Sequence, residues 1–95
     1  MKDDFGPENV PKMAPTFRLQ WEDAQQSYVI LYPEGMVKLN PAAGEILSRC
    51  DGQSTVAAII ESLERKFPDA DGLSADVLTF LKTAYEQQWI QHGAA

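Results

Sequence analysis

Leu39-Asn40-Pro41-Ala42-Ala43-Gly44-Glu45-Ile46-Leu47-Ser48-Arg49-Cys50-Asp51-Gly52 is where the pattern of the chain changes from strand to helix. It reads as the end of a strand, a capped helix of about three turns, and an abrupt stop. The Asn40 side chain can accept from free amides of the first turn, and Pro41 suits the first helical position, where its missing N–H is no loss. Ala42, Ala43, Ile46, Leu47 and Cys50 recur at three- and four-residue steps, giving one apolar face. Gly52 offers the left-handed conformation that ends such a helix. No residue here suggests catalysis; the stretch is scaffold.

Upstream, the period is that of strands. Phe17-Arg18-Leu19-Gln20-Trp21 alternates apolar with polar, and Glu22 to Ser27 is a polar turn. Tyr28-Val29-Ile30-Leu31-Tyr32 is a β-branched and aromatic run, the best strand of the chain. Pro33-Glu34-Gly35 is a tight turn, and Met36-Val37-Lys38-Leu39 makes a short third strand. Met1 to Pro15 holds three prolines and little periodicity, so residues 1–15 read as a flexible arm.

Downstream, all is helical. Ser54 or Thr55 caps a second helix with a stripe of Val56, Ile59, Ile60, Leu63 and Phe67. Pro68 to Gly72 breaks it. Asp71 or Ser74 starts a third helix carrying Val77, Leu78, Phe80, Leu81, Ala84, Tyr85 and Trp89, an apolar arc wider than one core contact requires. The expected architecture is α+β and winged-helix-like: a three-stranded antiparallel β-meander followed by three helices, βββααα. One domain over 16–91 is expected, with residues 92–95 frayed.

The chemistry narrows quickly. Ninety-five residues with a single cysteine and a single histidine form no internal disulfide, zinc site or iron–sulfur site. Cys50, on an apolar helix face, reads as a small buried hydrophobe. The Glu61/Glu64 and Asp69/Asp71 carboxylates read as a solvated helix face and a loop, and there is no Gly-rich phosphate loop or nucleophile motif. No enzyme activity and no cofactor are expected. No apolar run nears the roughly 18 residues of a membrane span, and the N-terminus lacks a hydrophobic signal region, so the default is a soluble cytoplasmic protein. The net charge of −6 argues against nucleic acid. The winged-helix order still raises a DNA-binding alternative, but the third helix offers Lys82 as its only cation against Asp76 and Glu86.

A peptide-binding module remains. An open three-stranded sheet leaves an edge able to accept another strand, and Met36 to Leu39 is a good candidate because it is short, apolar and next to the helices. The same edge gives a monomer a route to a strand-swapped dimer at high concentration.

The Leu39-to-Leu47 stretch, Cys50-Asp51-Gly52, and Ser54-Thr55-Val56-Ala57-Ala58-Ile59-Ile60 resemble the PqqD family of peptide chaperones in pyrroloquinoline quinone (PQQ) biosynthesis. Pro11-Lys12-Met13, Phe17-Arg18-Leu19, Val29 to Gly35 and Asp76 to Leu81 extend the resemblance across residues 11–90. The chain departs at Ala58, uncharged where relatives often carry glutamate. The resemblance implies a recognition element for a ribosomally made precursor peptide. Such a domain binds PqqA by strand addition and presents it to the radical S-adenosylmethionine enzyme PqqE. The resemblance also leaves room for a recognition domain of another ribosomal peptide pathway. It maps the peptide onto Met36, Val37, Lys38 and Leu39, with Val77, Phe80, Leu81 and Ala84 lining a groove on the third helix.

Overall fold

The computed structural model describes residues 6–93. Its elements in chain order are β1 (Pro11–Met13), β2 (Arg18–Glu22), β3 (Ser27–Tyr32), β4 (Gly35–Lys38), α1 (Pro41–Leu47), α2 (Val56–Lys66), α3 (Leu73–Glu86) and β5 (Ile90–His92). The expected meander and three helices are present as an α+β fold. They are bracketed by two further short strands that pair antiparallel with each other.

β2, β3 and β4 form an antiparallel sheet with β3 in the middle. The register aligns Leu19 with Ile30 and Ile30 with Val37 on the core face. On the other face Gln20, Val29 and Lys38 align, as do Arg18, Leu31 and Met36. Trp21 stacks edge-on against Tyr28 with centroids 5.1 Å apart, and Phe17 meets Tyr32 at 5.6 Å. Such aromatic cross-strand pairs pin register.

α1 starts as its sequence requires: Asn40 Oδ1 accepts from the Ala43 amide at 2.8 Å. It is shorter than the expected three turns. Arg49 and Cys50 amides reach back only three residues, to Ile46 and Leu47, so the helix tightens and stops. Gly52, with φ +77°, serves a different purpose from ending α1. Its amide donates to Pro11 O at 3.0 Å, and a Cβ there would lie 3.3 Å from the Lys12 Cβ. The left-handed glycine therefore lets the chain cross β1 closely. Gly44 permits another close approach, since a Cβ would fall 2.8 Å from Tyr28 Cδ2 on β3.

The N-terminal arm expected over residues 1–15 requires correction where it is described; residues 1–5 lie outside the described residues. Pro11 is buried and β1 pairs with β5. Upstream of β1, the Asn9 and Pro7 carbonyls accept from the Val56 and Ala57 amides at 2.8 and 2.9 Å, while Thr55 Oγ1 accepts from Ala58. The first turn of α2 exposes amides with no helical partner; this segment supplies two acceptors for them and the Thr55 cap a third. The expected frayed end over 92–95 shifts likewise: His92 belongs to β5, and the Gly93 amide donates to Val10 O. Residues 94–95 lie outside the described residues.

α3 begins after Gly72, which takes φ +68°, and no side chain caps it, contrary to the expectation of Asp71 or Ser74. Trp89 lies beyond the helix, its carbonyl accepting from the Ala14 amide at 2.8 Å. The core joins Ile30, Leu39, Ile46, Leu47, Ile59, Leu63, Val77, Leu81 and Ile90 in one cluster. Phe67, expected in the α2 stripe, caps the helix and is 39% exposed. Between α1 and α2, Glu45 pairs with Arg49 at 2.8 Å and with Lys66 at 2.9 Å, and Arg49 Nε donates to Ser62 at 3.0 Å.

Candidate functional site

Among the described residues β4 has one neighbouring strand, β3, and the direction of its main-chain groups follows from the register. In an antiparallel pair, opposed residues alternate between hydrogen-bonded and non-bonded. The Leu39 amide donates to Tyr28 O at 3.2 Å, so Val37 bonds Ile30 and Gly35 bonds Tyr32 in the same series. The N–H and C=O groups of Met36 and Lys38 therefore point away from the sheet. β3 spends its alternate groups on β2, which leaves Leu19 and Trp21 facing outward on the opposite edge. The sheet thus has two open edges among the described residues, and β4 is the shorter.

The side chains of the expected strand site divide by position. Met36 is 50% exposed, Lys38 is exposed, Val37 is half-buried against the core, and Leu39 is buried within it. The helical half differs more. Val77, Leu81 and Ala84 are fully buried, and only Phe80 of the four expected α3 residues retains accessible surface. The expectation that all four line an open groove needs correction. A stripe at helical spacing is satisfied by packing, and the centre of the α3 stripe joins Ile30 and Ile59 in the core. The surplus width noted in the sequence belongs to Leu78, Phe80 and Tyr85, which flank that centre half-buried.

A cleft of about 650 Å³ lies elsewhere, between the β1–β2 connection and the C-terminal half of α3. Phe17, Ile90, Tyr85, Lys82 and Glu86 are among its walls. Sequence reasoning missed it because the cleft depends on β1 and β5 coming together, and three-residue strands carry no readable period.

Reactive chemistry finds little support in the side chains. Burial pushes the Cys50 thiol up to about 12, with the Asp51 charge adding to the effect, so the thiol stays protonated at neutral pH. Asp51 is held below the usual carboxylate range, chiefly by the Gln53 amide and then by that of Ser54, as a turn-forming side chain. His92 packs its ring against Tyr85 at 5.0 Å. Among the described residues no three His, Cys, Asp or Glu side chains converge as a metal site requires, and no helix is long and apolar enough to cross a membrane.

Known proteins resemble the chain over nearly its whole length. The family described as "Coenzyme PQQ synthesis protein D (PqqD)" matches residues 27–90. The "PqqA binding protein" of Kluyvera intermedia is 50% identical over 96% of this chain and 95% of its own. Its namesake in Azotobacter vinelandii is 49% identical over 87% of this chain and 90% of its own. That of Acinetobacter baylyi reaches 58% over 78% and 75%. Among solved structures, the PqqD truncation of Methylobacterium extorquens PqqCD superposes with a TM-score of 0.75 at 25% identity, covering 96% of this chain and 99% of that one. That solution structure is described as a functional, stand-alone recognition element for ribosomally synthesised and post-translationally modified peptides.

Proposed function

The chain belongs to the PqqD family, and from that premise we propose that it is a recognition element that binds the precursor peptide PqqA in PQQ biosynthesis. The precursor docks as an added strand along β4 and is thereby presented to the radical S-adenosylmethionine enzyme PqqE. One observation carries the strand-addition reading: the outward main-chain donors and acceptors of Met36 and Lys38 on an edge with no partner strand among the described residues. Names of the relatives support the identity of the peptide. Presentation to PqqE follows from the family resemblance.

The work is recognition without bond chemistry. Main-chain hydrogen bonds to β4 supply affinity that tolerates sequence variation, and side chains beside the edge supply selectivity. A micromolar complex requires about −8 kcal/mol net, within reach of a short added strand and a few buried side chains. Holding the precursor beside its enzyme raises the effective concentration of substrate with no catalytic residue here. Phe80 is the α3 residue with surface to offer the peptide, while Val77, Leu81 and Ala84 act from behind by fixing the helix.

Titrating the 15N-labelled protein with synthetic PqqA tests the reading. The Met36 and Lys38 amides are expected to shift on binding and gain protection from hydrogen exchange. Shifts and protection at Leu19 and Trp21 instead would place the peptide on the wrong edge and overturn it.

A further inference from the structure

The outer face of the sheet has a chemistry of its own. Leu31 and Met36 sit side by side on it, with Arg18 opposite Leu31 and Lys38 in the next row beside Val29. Met36 is half-exposed, and Val29 is fully buried within the row it shares with Gln20 and Lys38. Three of the described cations, Arg49, Arg65 and Lys66, have carboxylate partners on the helices. Among the described residues Arg18, Lys38, Lys12 and Lys82 form no ion pair, and the first two belong to this face, although the chain carries a net charge of −6. The carboxylates of α2, α3 and the loop between them lie on the helical layer. One carboxylate shares the sheet face, that of Glu22 at the far end of β2, where it accepts from Gln20 Nε2; the β4 side of the face, with Leu31, Met36 and Lys38, is apolar with one cation.

That face is continuous with the β4 edge. Side chains of a strand alternate between the two faces of its sheet, so every second residue of an added strand lies on the outer face beside Met36 or Lys38. Directly opposed side chains approach to about 5 Å between Cβ atoms, where opposite charges attract and apolar groups pack. Resting on the strand-addition reading above, we propose that Met36 and Lys38 read two precursor residues spaced two apart: an apolar side chain against Met36 and Leu31, and a carboxylate beside Lys38. Main-chain pairing then holds the strand, and this acidic–x–apolar pattern, in either chain direction, sets its register. A slip of one residue would turn the pair onto the core face and leave Lys38 without its partner.

The test is a set of synthetic PqqA peptides, each with one Asp or Glu replaced by its amide, titrated calorimetrically into wild-type, Lys38→Gln and Arg18→Gln proteins. One peptide substitution should weaken wild-type binding about threefold. The same substitution should have no effect on Lys38→Gln and keep its full effect on Arg18→Gln, which lies two strands from the edge. Lys38→Glu should weaken the unaltered peptide and recover affinity when that carboxylate is exchanged for lysine. If every substituted peptide loses the same factor on wild-type and Lys38→Gln, the Lys38 assignment falls while strand addition stands. If unaltered PqqA does not bind the wild-type protein, both readings fall.

Discussion

β4 and α3 are the two apolar elements expected to face a bound peptide, and they stand at opposite ends of burial. Met36 is half-exposed on a strand whose alternate main-chain groups have no partner strand among the described residues, whereas Val77, Leu81 and Ala84 have no exposed surface at all. The difference teaches where each element's binding capacity resides. A helix satisfies its own backbone, so it can offer only side chains, and the best apolar side chains of α3 are spent on the core. An edge strand offers its backbone whatever its side chains do. Under the proposed strand addition, recognition falls to the strand and the helix is its support.

The largest effect that could break this division is Leu81→Ala. A fully buried leucine should cost about 2–5 kcal/mol when truncated, read as a lower urea midpoint. Affinity for PqqA, measured where the variant is still folded, should change little. Full stability with lost affinity would mean that Leu81 faces the peptide and that the helix is a binding surface after all.

That division also shows what the sequence could reveal. The strands around Tyr28–Tyr32 and the start of α1 were legible because local chemistry decides them: β-branched runs, a Pro-Glu-Gly turn, and an Asn-Pro cap. The stripe on α3 was legible as apolar, but period alone cannot tell a face that meets the core from one that meets a ligand. β1, β5 and the cleft between the β1–β2 connection and α3 were not legible. Pro11, Lys12 and Met13 become a strand only because Ile90, Gln91 and His92 arrive from the far end of the chain. Gly52 was readable as left-handed, yet its reason, the close crossing with Lys12, is a tertiary contact.

A pair of prolines sharpens the strand half. Val37 directs its N–H at Ile30, so Val37→Pro removes a ladder bond, leaves an acceptor unpaired, and should cost about 1–3 kcal/mol of stability. Met36 directs its N–H outward, where an edge strand tolerates proline. Met36→Pro should therefore melt near the wild-type temperature while losing roughly tenfold in affinity for PqqA. Binding isotherms and melting curves on the two variants separate the roles of adjacent residues. Equal affinity losses at unchanged stability would show that the alternation of β4 groups is wrong.

The smallest effect concerns the frame behind both elements. Glu45 joins α1 to α2 through Lys66 and Arg49, and α1 leaves directly from the end of β4. The Lys66 hydrogen bond holds the Glu45 carboxyl below its ordinary value; partial burial opposes this, and Arg49 reinforces Lys66. A folded-state pKa below the unfolded one adds stability above the unfolded value and loses it as pH falls through the folded value. The wild-type protein should therefore exceed Glu45→Gln by less than about 1 kcal/mol near neutral pH, because the pairs are partly solvated. The gap should close as pH falls through the folded value, where a protonated Glu45 offers Lys66 and Arg49 no more charge than glutamine does. Urea titrations of both proteins between neutral and acidic pH read this directly. PqqA affinity should be the same for both at neutral pH, since Glu45 fixes the helical frame and touches neither the edge nor the outer face of the sheet. A gap that widens toward acid would mean that the carboxyl is destabilised by its surroundings, and that the frame behind β4 is held by packing alone.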